Sequence, residues 1–252
     1  MSGFLPDYHA ADVMASPNFG DRRDGCAPDM LILHYTGMPS AEGALDWLLR
    51  PESEVSSHYF VFEDGRIIQL VPENARAWHA GRSCWKGETD VNSASIGIEI
   101  VNPGHPGGLP DFPEVQIAAV IGLCCDVIGR HAIMPERVLG HSDVAPVRKI
   151  DPGERFPWAT LASAGVGHWV EPSPVGGGRY FQLGDAGPPV EALQAMLALY
   201  GYDVPVSGEY CVRTQGVIEA FQRHFRQDRV DGIADASTIE TLHRLLKSLP
   251  GT

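Results

Sequence analysis

The spacing of hydrophobic positions changes along the chain, and each change marks an element. "MLILHY" (30–35) is an unbroken apolar run of the kind expected for a buried strand. "AEGALDWLLR" (41–50) shifts to helical spacing and stops before Pro51. In "HYFVFEDGRIIQLV" (58–71), two β-rich runs flank Asp64-Gly65, a pairing that predicts a hairpin. "SIGIEIV" (95–101) alternates strictly, so Ile96, Ile98 and Ile100 face one side while Ser95, Gly97 and Glu99 face the other. Ile117, Val120, Ile121, Cys124, Val127 and Ile128 then recur at helical intervals, predicting a helix over 113–130 packed on the sheet. "RVLG" (137–140) reads as a short last strand that delivers His141 at its end.

Proline and glycine crowd "EPSPVGGGRY" (171–180) without apolar periodicity, which reads as a linker. Beyond it the pattern is helical: Val190, Leu193, Met196, Leu197 and Tyr200 mark one helix, with Gly201 placed to end it. Val217, Ile218, Phe221 and Phe225 mark a second, and Ile239, Leu242, Leu245 and Leu246 a third. The fold class expected is α/β (α+β): a mixed central β-sheet flanked by helices over 1–172, a linker over 173–180 and a small three-helix domain over 181–252. The last unit is near the lower size for an independent core.

Composition narrows the function. With 44% hydrophobic and 20% charged residues, a packed core is expected. A net charge of −13, from 19 basic and 32 acidic residues, argues against a nucleic-acid partner, which needs a basic face. No apolar run reaches the length of a transmembrane segment. "MSGFLPDYHAADVMASPNFGDRRDG" has neither a basic start nor an apolar stretch, so no secretory signal is expected. Five cysteines without a CxxC pair suit reduced thiols, and together these features predict a cytoplasmic protein, with the periplasm as the alternative.

The chemistry concentrates in "GHSDVAPVRKIDP" (140–152) and at the end of the 30–35 run. Singly, His34 reads as a buried histidine bonded to backbone, Asp151 as a turn residue and Lys149 as a solvated lysine. Together, His34, His141 and Asp151 supply two imidazoles and one carboxylate, which leaves one position open on a tetrahedral zinc, the composition of a hydrolytic site. The HExxH signature is absent. Glu99 shares its strand face with the small residues Ser95 and Gly97, leaving room above the sheet for water or substrate. It reads either as a glutamate on the wet side of the sheet or as a general base. Lys149, two residues before Asp151, is spaced to reach a developing oxyanion. His58, Trp78, His79 and Trp85 are candidates to line a substrate cleft, with core packing as the competing account of the tryptophans. His9, His105, His131, His168, His224 and His243 carry no comparable signal, and nothing near Cys84 marks it as a reactive thiol.

"LILHYTG", "SSHYFV", "RIIQLVPENARAWHAG", "NSASIGIEIVNPG" and "GHSDVAPVRKIDPG" occur in an order that resembles the type-2 N-acetylmuramoyl-L-alanine amidases, in their AmpD/AmiD branch. The likeness covers nearly all of residues 30–160. "VEALQAMLALYGYDV", "TQGVIEAFQRHF" and "DGIADASTIETL" resemble the three-helix peptidoglycan-binding domain that follows some of these enzymes. The resemblance implies zinc in a surface cleft, held by His34, His141 and Asp151, with Glu99 as catalytic carboxylate and Lys149 as oxyanion-stabilising cation. It implies hydrolysis of the amide between N-acetylmuramic acid, or its 1,6-anhydro form, and L-alanine in muropeptides or peptidoglycan. Two rivals remain: a recognition module that binds muropeptides without cutting, and a peptidase acting within the stem peptide. A complete ligand set with Glu99 speaks against the first.

Overall fold

The computed structural model describes residues 4–178 and 180–249. Residues 1–3, Arg179 in the expected linker and residues 250–252 lie outside the described residues, although the expected units include them. In chain order the first elements are β1 (Asp12–Val13), β2 (Phe19–Asp21), β3 (Met30–Tyr35), α1 (Ala41–Leu49), β4 (Tyr59–Val61), β5 (Ile67–Gln69) and β6 (Ala75–Ala77). There follow α2 (Val91–Ala94), β7 (Ser95–Ile100), α3 (Glu114–His131), β8 (Val138–Gly140), α4 (His141–Val144) and α5 (Trp158–Ser163). The C-terminal helices are α6 (Pro188–Tyr200), α7 (Val212–Phe225) and α8 (Ala236–Lys247). Among the described residues, no helix is long and apolar enough to cross a membrane.

Six strands form one mixed sheet in the order β1-β5-β4-β7-β3-β8. β3 runs parallel to both β7 and β8, and β4 parallel to β7, while the hairpin partner β5 is antiparallel to β4. The hairpin turns where the sequence indicates: Gly65 takes φ +85, and the Asp64 carboxylate accepts from the Arg66 N–H at 3.0 Å. Ser40 caps α1 by accepting from the Gly43 N–H at 3.1 Å, and Asp235 caps α8 through the Thr238 N–H at 2.8 Å. Gly201 ends α6 as expected.

Alternation along the central strands divides the buried side chains between two layers. Leu31, Leu33, Ile96, Ile98, Ile100 and Val138 pack with Ile117, Val120, Leu123, Cys124 and Val127 of α3. Met30, Ile32 and Leu139 point to the other face, where they share one continuous buried cluster with Trp85, Val144 and the apolar faces of α6, α7 and α8. The C-terminal helices therefore do not close a core by themselves. Three short helices bury too little apolar surface alone, and here they complete their core against the sheet.

Candidate metal centre

Strand register assembles the site. His34 of β3 pairs with Glu99 of β7, and Leu33 pairs with Gly140 of β8, so His141 emerges beside His34. Paired residues on parallel neighbours point to the same face, which brings both histidines and Glu99 together at the carboxyl ends of the strands, the usual ligand-binding edge of such sheets. Asp151 returns from the following turn, tied to α4 by the Ser142 N–H donating to the Asp151 carbonyl at 3.0 Å.

His34, His141 and Asp151 are all buried and form, among the described residues, a group able to hold a metal ion. His34 Nδ1 lies 2.9 Å from His141 Nδ1, and each lies 3.0 Å from Asp151 Oδ2. Three points at this spacing admit a common position about 2.1 Å from each, the bond length zinc takes to nitrogen and oxygen. The protonation pattern agrees. His141 Nε2 faces the Ala80 carbonyl at 3.0 Å and so carries the proton, leaving a lone pair on Nδ1. His34 Nε2 donates to His79 Nδ1 at 3.0 Å, His79 Nε2 donates to Ser95 Oγ at 3.2 Å, and Ser95 donates to the Val91 carbonyl at 2.5 Å. That relay likewise leaves the lone pair of His34 Nδ1 facing its partners. Burial, with the neighbouring His34, His58 and His141, holds the His79 imidazolium well out of reach, as an acceptor at Nδ1 requires.

The electrostatics are those of a cation site. Burial raises the Asp151 carboxyl, but in the metal-free chain charged, Nδ1-protonated His141 and His34 rings outweigh it and hold the group far below the usual carboxylate range, a role that a bound cation takes over when the rings give up those protons. Burial and His141 pull His34 down to about 4, in favour of its neutral, ligating form. Two neutral imidazoles and one carboxylate suit a divalent ion with position to spare for water.

The three donors open onto a cleft of about 460 Å³ whose lining includes Glu99, Lys149, His79, Trp78, Trp47 and Met38. Glu99 Oε2 is buried and has no hydrogen-bond partner among the described residues. Burial, reinforced by Asp151 and opposed by Lys149, raises its carboxyl well above the usual range. A carboxyl with its proton affinity raised in this way is suited to accept a proton and pass it on.

Two residues expected in the cleft lie elsewhere. His58 is fully buried behind His79, at 5.8 Å between ring centres; its Nδ1 accepts from the Gly97 N–H at 3.0 Å, and its Nε2 faces the Ala75 carbonyl at 3.1 Å. It is a structural histidine. Trp85 is also fully buried, edge-on to Tyr200 and Tyr202 with ring centres 6.0 and 5.0 Å away, where it joins the C-terminal helices to the sheet. The space above Gly97 is not left for water or substrate: a Cβ there would come within 2.5 Å of the His79 ring, which occupies it.

Other residues at the site gave little sequence signal. Arg148 Nη2 donates to the carbonyls of Ala80 and Arg82 at 2.6 and 2.7 Å, fixing the loop that His141 bonds. Tyr35, which lines the cleft, is hydrogen-bonded to His105 Nδ1 at 3.1 Å, and His105 Nε2 reaches Glu154 at 3.1 Å. Arg148 and Tyr35 adjoin Lys149 and His34 in sequence, which was the only available pointer.

Three convergent donors, an unpaired carboxylate beside them and an open cleft at the strand ends are the layout of a mononuclear metal-dependent hydrolase. The N-acetylmuramoyl-L-alanine amidase family profile matches residues 24–154, more than half of the chain, and the chain belongs to that family. A peptidoglycan binding domain profile matches residues 186–242. The chain is 41% identical over 235 residues to the N-acetylmuramoyl-L-alanine amidase AmiD of Escherichia coli K12, covering 86% of this chain and 82% of that protein. The solved complex of E. coli AmiD with the substrate anhydro-N-acetylmuramic acid-L-Ala-D-gamma-Glu-L-Lys superposes with a TM-score of 0.75 at 36% identity, covering 91% of this chain and 97% of that one. AmpDh3 of Pseudomonas aeruginosa superposes with a TM-score of 0.72 at 29% identity, over 98% of this chain and all of that one (100%).

Proposed function

We propose that this protein hydrolyses the amide between N-acetylmuramic acid, or its 1,6-anhydro form, and L-alanine in peptidoglycan fragments, with zinc held by His34, His141 and Asp151. The observation that carries the reading is the convergence of those three donors beside the unpaired Glu99 carboxylate. The family assignment and the AmiD–substrate complex supply the substrate class. We further propose residues 1–172 as the catalytic unit, 173–180 as linker and 181–252 as a peptidoglycan-binding unit, in keeping with the two matched profiles.

When bound, zinc supplies Lewis acidity that makes an amide carbonyl susceptible to water at neutral pH. Glu99 takes a proton from the attacking water as the C–O bond forms, and its burial lets it hold that proton. The Lys149 ammonium faces the same cleft and offsets the negative charge developing on the carbonyl oxygen. Glu99 then gives its proton to the alanine nitrogen as the C–N bond breaks, releasing a lactyl carboxyl group and an amine, between which the remaining proton of the water passes to leave carboxylate and ammonium. The His79–Ser95 relay keeps the His34 ring in one orientation. Trp78, Trp47 and Met38 offer an apolar wall to the sugar or peptide.

Mass spectrometry of products from an anhydro-muropeptide, with and without a chelator, tests the reading. Free anhydro-sugar plus intact stem peptide, lost on chelation, is expected. Unchanged substrate would leave a recognition module, and a shortened peptide would make the protein a peptidase.

A further inference from the structure

The stretch carrying His141, Lys149 and Asp151 is gripped from outside the sheet by α7 and the residues after α6. Asp143, two residues beyond His141, is fully buried. Its Oδ2 accepts from the Gly140 N–H at 2.8 Å and from His224 Nδ1–H at 2.7 Å, and its Oδ1 accepts from the Tyr202 hydroxyl at 2.7 Å. The His224 ring stacks on Trp158 at 3.7 Å between centres, which fixes the direction of Nδ1. Four residues further on, α7 meets the same stretch again: a Cβ on Gly216 would lie 2.3 Å from Val147 Cγ2, so only glycine permits this approach. Downstream, Gln227 Nε2 donates to the carbonyls of Glu154 and Phe156 at 2.7 and 2.8 Å.

These contacts act on a weak element. α4 is a single four-residue turn, too short to hold its own shape. Its direction is set by the Asp143 carboxylate, which a buried site tolerates only while its hydrogen-bond partners are present. Because the Ser142 N–H donates to the Asp151 carbonyl, a shift of α4 is passed to the third ligand as well.

We propose that Tyr202 and His224 are positioning residues for the metal centre: through Asp143 they set where His141 and Asp151 present their donor atoms. The C-terminal helices are thus a working part of the metal site, in addition to any hold on wall polymer. The inference rests on the ligand assignment proposed above. Outer partners of this kind change metal affinity about 10- to 100-fold when removed.

The test is the zinc dissociation constant of the full chain, measured by competition with a chromophoric chelator, alongside circular dichroism and thermal unfolding of the metal-free forms. His224→Leu keeps the bulk against Trp158 and removes the donor; Tyr202→Phe removes one hydroxyl. Both are expected to bind zinc about 10- to 100-fold more weakly while remaining folded. His224→Asn, whose amide nitrogen sits near the Nδ1 position, should recover most of the affinity. Arg213→Ala, which breaks an exposed ion pair with Asp203 in the same region, should change nothing. Folded His224→Leu and Tyr202→Phe with parental zinc affinity would overturn the proposal, and Tyr202→Phe alone decides it if the leucine variant does not fold. A parent chain that takes up no zinc, or His34→Ala binding it as tightly as the parent, would instead overturn the ligand assignment and the brace with it.

Discussion

Glu99 shows how one carboxylate acquires a role from its surroundings. Its register opposite His34 and its buried Oε2, unpaired among the described residues, suit it to the proton transfer proposed rather than to holding the fold. Glu99→Ala is expected to abolish turnover while zinc content, read by atomic absorption, stays at the parental level; loss of the metal would reassign the residue to a structural role. In the mechanism proposed, Lys149 supplies charge to the oxyanion and is no metal ligand, so Lys149→Ala should lower kcat by about 10² to 10³, the loss seen when one oxyanion donor is removed. An unchanged kcat would remove it from the mechanism. His58 and Trp85 mark the limit of reading single residues: a histidine beside a strand and a tryptophan near "WHAG" look alike in sequence whether they face a cleft or a core. Their neighbours in space decide, and those come from β7 for His58 and from the C-terminal helices for Trp85.

Among the elements, β7 carries the most information per residue. Its alternation places Ile96, Ile98 and Ile100 against α3 and turns Ser95, Gly97 and Glu99 toward the site. Those three residues serve the site in different ways. Ser95 anchors His79, Gly97 makes room for its ring, and Glu99 faces the cleft. Gly97→Ala should therefore displace His79, with a loss of about 1–3 kcal/mol in stability from overpacking and weaker zinc binding through the disturbed His34 ring. Denaturant unfolding and chelator competition measure the two effects; an alanine variant with parental values in both would show that the ring gives way without consequence. The alternation itself was legible in the sequence, as were the hairpin, the long helix and the strand that ends at His141. The filling of the space above Gly97 was not, because it depends on a loop some twenty residues upstream folding over the strand.

At the scale of the whole molecule, a second buried polar group binds segments far apart in the chain. Burial opposes the charge on Glu73, but hydrogen bonds from His131, Arg130 and Tyr59 hold its pKa down to about 2, below the 4.5 of a free glutamate. His58 is pulled from 6.5 to about 3 by burial and by the Arg22 guanidinium. In both cases the unfolded chain binds a proton that the folded one refuses, so stability rises with pH across the window and is lost on acidification. His58 contributes its loss as pH falls from 6.5 toward 3, and Glu73 adds its own from 4.5 toward 2. Thermal midpoints of the metal-free protein should fall through this range. Glu73→Gln should start lower and lose less below pH 4.5; a parallel pair of curves there would exclude Glu73 as a source of acid lability.

Local pattern alone determined the central strands, the hairpin and the longer helices, which strand face is apolar, and which residues are candidates for metal-ligand and acid–base chemistry, because these follow from spacing and side-chain type; the short pieces β1, β2, β6, α2, α4 and α5 carry no such pattern. The order of motifs also indicated the family to which the chain belongs. Tertiary structure decided the register that sets His34 opposite Glu99, the depth at which His58 and Trp85 lie, and the merging of the C-terminal helices with the sheet core. Those outcomes depend on contacts between residues distant along the chain, such as Asp143 with His224, and a spacing rule that looks a few residues ahead has no access to them.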